Sequence, residues 1–189
     1  MPTHHHFILH KPYGYLSQFI NNQTKRKKKL LGELYNFPEG TMAIGRLDVN
    51  SEGLLLLTTD GKESEYIRSR KVEKEYYVQV DGVITQTAIT TLKKGLEISI
   101  EGKKYTTTPC KARIIAPPNF PNRTQKIRDE RHGPTSWISI TITEGKFRQV
   151  RKMTAVVKHP TLRLIRVRIG SILIENLSLG QVKEVKKLR

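Results

Sequence analysis

Apolar positions along the chain fall into two rhythms. Leu54-Leu55-Leu56-Leu57 is an unbroken run, entered through Gly53 and closed by Thr58-Thr59-Asp60-Gly61. A short continuous run bounded by turn residues predicts a strand covered on both faces, with a turn at Asp60-Gly61. Elsewhere the rhythm alternates. Lys74-Glu75-Tyr76-Tyr77-Val78-Gln79-Val80 alternates, is rich in β-formers and reads as a strand closed by Asp81-Gly82. Residues 7–9, 96–100, 104–108, 110–115, 136–143 and 162–169 read as further strands, with Glu101-Gly102 as one of the turns between them. In the last of these the arginines are expected on an outer face and the aliphatics on the core.

Helical spacing is confined to short segments. Residues 62–70 predict a helix with Tyr66 and Ile67 turned inward. Residues 85–94 predict another, with Ile89 and Leu92 inward and Gly95 as its stop. A helix begins near Gly145-Lys146-Phe147-Arg148 and runs to about Val157, which places Arg148 and Arg151 on one face. A short helix at 30–35 ends before Pro38. Strands outnumber helices and no repeat is present. The prediction is an α+β fold, as one domain or a bilobed one.

The segments between elements carry the charge. Lys25-Arg26-Lys27-Lys28-Lys29 follows a polar stretch and reads as an exposed loop. Residues 117–134 are rich in Pro, Asn and charge and read as a long insertion. Long loops inside compact domains usually carry function. Trp137 opens a strong strand and is expected in the core. The whole chain of 189 residues has 34 Lys+Arg against 17 Asp+Glu, a net charge of +17. Such a field attracts polyanions and points to nucleic acid before an anionic membrane surface. No apolar run approaches the roughly 20 residues that span a bilayer, and no signal-peptide core follows Met1. The single cysteine, Cys110, excludes an internal disulfide and fits a reducing cytoplasm as a buried structural thiol. The histidines at 4, 5, 6 and 10 have no Cys or acidic neighbour in sequence, so no metal site is expected.

One polar stretch adjoins the predicted buried strand. Gly45-Arg46-Leu47-Asp48-Val49-Asn50-Ser51-Glu52-Gly53 has glycine at both ends, which permits sharp turns. Asp48 therefore either makes a local Asx turn or cap, or is a carboxylate held still at a cleft edge by a rigid neighbour. Spacing alone favours the first.

Gly45-Arg46-Leu47-Asp48 followed by Ser51-Glu52-Gly53-Leu54-Leu55 resembles the catalytic-loop signature of the RNA pseudouridine synthases, in the branch that modifies bacterial ribosomal RNA. Lys11-Pro12-Tyr13 after the first strand, and Gly145 with Arg148-Gln149-Val150-Arg151-Lys152, resemble further motifs of that family. The resemblance runs over nearly the whole chain. It implies the pseudouridine synthase fold, a mixed, mainly antiparallel central sheet with flanking helices and two lobes around a basic cleft, as one catalytic domain over 1–189 without the separate S4-like RNA-binding domain common in this branch. It implies Asp48 as the carboxylate that acts on the ribose, Arg151 as its ion-pair partner and Tyr76 as the ring that stacks on the uracil. Read as residues alone, Tyr76 is equally an ordinary strand aromatic and Arg151 a phosphate clamp.

The expected RNA contacts are Lys11, Lys25, Arg26, Lys27, Lys28, Lys29, Arg46, Lys146, Arg148 and Lys152. Isomerisation of uridine gains no atom, so no cofactor is expected. The expected partner is ribosomal RNA, of the large subunit, met by a cytoplasmic monomer. A non-catalytic ribosomal-RNA-binding or assembly protein on the same fold is the rival reading. A methyltransferase is disfavoured, because no glycine-rich nucleotide loop follows an early strand.

Overall fold

The computed structural model describes residues 4–21, 27–69 and 72–189. Lys25 and Arg26, expected among the RNA contacts, lie outside the described residues. In chain order the first elements are β1 (His6–Lys11), β2 (Met42–Ile44), β3 (Glu52–Thr58), α1 (Gly61–Arg68), β4 (Lys74–Asp81), α2 (Gln86–Lys94), β5 (Glu97–Ile100) and β6 (Lys103–Thr106). They are followed by β7 (Lys111–Ile115), β8 (Thr135–Ile142), α3 (Gln149–Val156), β9 (Thr161–Ile169), β10 (Ile172–Leu173) and β11 (Val182–Val185). The class is α+β, as the apolar rhythms predict. Two compact units are formed: Met1–Val72 with Arg166–Arg189, and Glu73–Ile165.

In the first unit β3 is the central strand, and every one of its residues is buried. β1 pairs antiparallel with it from His6↔Thr58 to Lys11↔Gly53. β2 pairs with its far end, from Met42↔Thr58 to Ile44↔Leu56. β11 continues outward from β1, and β10 pairs with the end of β9. Leu55 and Leu57 join Phe7, Leu9 and Leu31 in one cluster, with Phe19, Leu34 and Phe37 packed against it. Leu54 and Leu56 are equally hidden on the other face, which is why this strand reads as a run and not an alternation. Each such leucine stabilises the fold by roughly 1.5–3 kcal/mol.

Gly53 is in β3 and not in a turn. It adopts φ +110°, and an added Cβ would lie 2.3 Å from the backbone oxygen of Arg166. Arg166 Nε in turn donates to the Leu54 carbonyl at 2.8 Å. Asp60-Gly61 also departs from the expected turn. Asp60 caps α1, its Oδ1 accepting from the Lys62 N–H at 2.9 Å. Within α1 only Ile67 of the expected pair is buried. Tyr66 lies on the surface, with the Arg189 guanidinium 4.4 Å from its ring centroid.

In the second unit β4 alternates as its sequence does, with Lys74, Tyr76, Val78 and Val80 buried. It pairs antiparallel with β8 from Lys74↔Ile142 to Asp81↔Thr135, and β7 pairs with the other edge of β8. α2 packs on β7 and α3 on β5. Thr85 caps α2 by accepting from the Ala88 N–H, and Gly95 ends it at φ +84°. The 117–134 insertion lies against the face of β4 opposite Tyr76. Phe120 packs edge-on to Tyr77, and Arg128 Nη2 donates to Asp81 Oδ1 at 2.6 Å.

The expected outward face of arginines on β9 is not found. Arg163 and Arg166 are buried and donate to the carbonyls of Pro121 and Leu54. β9 is covered on both faces, so its alternation sorts large polar from apolar packing partners rather than water from core.

Gly53→Ala should lower stability by at least about 3 kcal/mol, from a forbidden φ combined with a backbone clash. Gly32→Ala, where an added Cβ meets nothing within 4 Å, should change it by under about 0.5 kcal/mol. Thermal unfolding of the two variants checks the pair.

Candidate active site

Residues 45–51 join β2 to β3 and begin at Gly45, which takes φ +71°. A short chain of hydrogen bonds pins them. The Leu47 N–H donates to Ser17 Oγ at 3.0 Å, and the Ser17 hydroxyl donates to the Leu47 carbonyl at 2.9 Å. The Gly14 N–H donates to the Val49 carbonyl at 2.8 Å, and Ser51 N–H closes a turn on the Asp48 carbonyl at 2.9 Å. The Leu47 side chain is buried on one side of Asp48, and Ser51 and Glu52 are buried on the other. The backbone flanking Asp48 is thus held at three consecutive residues, while Asp48 itself stays half-buried.

Lys11 does not lie where RNA could touch it. Its side chain is fully buried at the end of β1, and Nζ donates to the carbonyls of Tyr15 at 2.7 Å and Pro12 at 3.0 Å. Burial pushes its pKa from 10.5 down to about 7, against the pull of the Glu52 and Asp48 carboxylates, with Arg166 adding to the depression. Lys11 therefore folds the 12–15 turn from beneath. The same turn supplies the Gly14 N–H to Val49, and its far end is bridged to the basic run, where the Leu16 N–H donates to the Lys29 carbonyl at 2.9 Å. Lys27 and Lys29 are exposed there and Lys28 is half-buried. Arg46 is exposed beside a hollow of about 460 Å3 that it shares with Phe19, Ile20 and Met42.

The second unit carries the other expected residues. Tyr76 sits mid-β4 opposite Ile140 of β8, on the buried face. Arg151 is in the first turn of α3 and half-buried. Arg148 is not on that helix. It precedes α3 in the left-handed region at φ 52°, so the expected shared face with Arg151 is not formed. Arg148 is exposed instead; Lys152 Nζ lies 5.2 Å from the ring centroid of the exposed Phe147, and Lys146 Nζ lies 4.8 Å from that of Tyr105.

Two residues that hold these parts in place escaped the sequence reading. Ser17 gives no signal, being a lone loop serine thirty residues from its partner. Glu144 is a buried carboxylate that accepts from the Thr108 N–H at 2.9 Å, from Gln149 Nε2 at 2.7 Å and from the Tyr105 hydroxyl. Burial works to raise its pKa, and these donors outweigh it, leaving the pKa below the ordinary value. Gln149 Oε1 also accepts from the Lys146 N–H at 3.1 Å, so Glu144 and Gln149 together fix the start of α3. An acidic residue just before a helix start was its only trace in the sequence.

Among the described residues no group of His, Cys, Asp or Glu is arranged to hold a metal ion, and no helix is long and apolar enough to cross a membrane.

The model of the family described as RNA pseudouridylate synthase matches residues 5–156. The chain belongs to this family. It is 40% identical to the ribosomal large subunit pseudouridine synthase E of Vibrio parahaemolyticus, over 95% of this chain and 73% of that protein. It is also 40% identical to the protein of the same name in Xanthomonas campestris pv. campestris, over 92% of this chain and 91% of that one. Identity to the ribosomal large subunit pseudouridine synthase B of Bacillus subtilis is 31%, over 97% and 71%. A crystal structure of a pseudouridylate synthase superposes with a TM-score of 0.75 at 26% identity, covering 98% of this chain and 71% of that one.

Ser17→Ala leaves a buried N–H and a buried C=O of Leu47 without their partner, at a cost of about 1–3 kcal/mol in urea unfolding. A second check uses pH. A lysine with a depressed folded pKa opposes folding while it must stay charged, so the contribution of Lys11 to stability rises as pH climbs from about 7 toward 10.5. The stability of wild type relative to Lys11→Met should therefore increase over that window, measured by urea midpoints at both ends. A difference independent of pH would contradict the burial of this ammonium.

Proposed function

We propose that this chain converts specific uridines of ribosomal RNA, in the large subunit, to pseudouridine without a cofactor. The observation that carries the reading is the three-point fixation of the backbone around Asp48, in a chain of the pseudouridylate synthase family. Uracil must leave its ribose, turn and rejoin through C5. An ionised carboxylate serves the sugar in that sequence, as nucleophile or as base, and it works best when its position is set in advance. Simple RNA binding has no use for such rigidity around an acid, which repels phosphate.

The remaining roles follow the family resemblance. The resemblance assigns Arg151 as the partner of the catalytic carboxylate, which a guanidinium orients through paired N–H donors. The Glu144–Gln149 contacts support this by fixing the start of the helix that carries Arg151. Tyr76 stacks on the uracil and assists removal of the C5 proton. A uridine within folded RNA must be turned out of its stack at a cost of a few kcal/mol. Contacts from Lys27, Lys28, Lys29, Arg46, Lys146, Arg148 and Lys152 offset that cost, each phosphate contact steepening the log–log salt dependence by about 0.7–0.9. The reading extends to a monomer working in the cytoplasm, in keeping with its lone cysteine and net charge of +17.

Tritium release from ribosomal RNA labelled at uridine C5 tests this. Asp48→Ala should lower release by at least about 1,000-fold while RNA affinity changes little. Arg151→Lys should lower it by about 10–100-fold, since one ammonium cannot replace a paired guanidinium. Wild-type release matched by Asp48→Ala refutes the role of this carboxylate. Tight binding by wild type without release favours the assembly-protein reading.

A further inference from the structure

The 117–134 insertion roofs a cavity of about 860 Å3 in the second unit, within the roughly 300–1,000 Å3 range of ligand pockets. Its floor is the face of β4 and β8 that carries Gln79 and Trp137, which are direct cross-strand partners. Tyr76 faces the other way from the same strand, so this cavity is separate from the proposed uracil platform. Its lining joins two aromatic rings, Phe120 and Trp137, to four cations, Arg123, Lys126, Arg128 and Arg163.

The cations are placed by the fold. Arg163 is 6% exposed and reaches the Pro121 carbonyl at 2.7 Å, so a charged group is built into the base of the cavity. Arg123 Nε donates to the Gln125 carbonyl at 2.8 Å. Arg128 spends Nη2 on Asp81 and on the Pro134 carbonyl, while its Nε–H is buried with no acceptor. A buried donor left without an acceptor costs about 1–3 kcal/mol, which a bound acceptor would recover. Two carboxylates also line the cavity, those of Asp129 and Glu130. Asp129 is taken up by Arg131 at 2.7 Å, by His132 at 3.0 Å and by the lining Lys126 at 4.0 Å. Four lining cations against two lining carboxylates leave a positive excess beside the aromatic rings.

Flat rings beside guanidinium groups suit one chemistry above others: an unpaired base with its phosphate. We propose that this cavity is a second nucleotide site, which takes an unpaired nucleotide of the RNA other than the one that reacts. The proposal rests on RNA being the substrate, and it is independent of the roles given to Asp48, Tyr76 and Arg151. It gives the insertion a task that exposed lysines alone do not perform: choosing RNA that presents a second looped-out base at a set distance.

Trp137 is the only tryptophan in the chain, so its fluorescence reports the cavity directly. Ribosomal RNA fragments should change that fluorescence saturably, with the Kd found by fluorescence polarisation. RNA carrying 4-thiouridine should crosslink at Phe120 or Trp137. Lys126 is largely exposed, so Lys126→Ala should fold normally, weaken RNA binding three- to tenfold and flatten the log–log salt slope by about 0.7. Uridine monophosphate that alters Trp137 fluorescence and competes with RNA supports a shared site. The same signal without competition assigns the cavity to a free nucleotide and overturns the proposal. RNA binding that leaves Trp137 silent and gives no crosslink between residues 117 and 137 overturns it as well. If wild type shows these signals yet releases no tritium, the second site stands and the catalytic reading falls.

Discussion

The structure depends on a grip around one peptide. Ser17 holds both the N–H and the carbonyl of Leu47, and Gly14 holds Val49 two residues on. Beneath them Lys11 ties the 12–15 turn to β1 through two carbonyls. Together these bonds convert a glycine-started loop, which would otherwise sample many conformations, into an extension of β3. Orienting a carboxylate before the reaction removes an entropic cost from the reaction itself.

The cations of this chain divide into groups that a net charge cannot separate. Lys11, Arg163 and Arg166 are buried and bond backbone carbonyls, so they organise the fold. Lys27 and Lys29 are exposed on a segment tied to the same turn as the Asp48 loop. Arg123, Lys126 and Arg128 line the cavity under the insertion, where Arg163 serves both purposes. The number of cations available to RNA is accordingly smaller than the 34 Lys and Arg of the chain, and part of that charge serves packing. Arginine suits the buried posts, because its planar guanidinium is weakly hydrated and offers donors in several directions.

The second unit relies on an anion in the same way. Glu144 gathers Thr108, Tyr105 and Gln149, and so joins the end of β6 to the start of α3. A buried carboxylate is stable only with several donors, and here three supply them. The helix that carries Arg151 thus begins at a defined place, with Arg148 twisted out of it in a left-handed turn. That twist leaves Arg148 on the surface beside Phe147 and Lys152 rather than on the helix with Arg151.

Local pattern determined a good deal by itself. The run from Leu54 to Leu57 announced a strand hidden on both faces, and the alternation after Lys74 announced another strand. Thr85 and Gly95 marked the ends of α2, because caps act through immediate neighbours. The motif around Asp48 was legible for the same reason, being contiguous. What pattern could not supply were contacts between residues distant in the chain. Ser17 reaches Leu47, Lys11 is buried rather than presented, Arg163 and Arg166 turn inward, and Gly53 is required by the backbone of Arg166. Each is decided by which strand lies alongside, and spacing along one segment carries no information about its neighbour across the sheet.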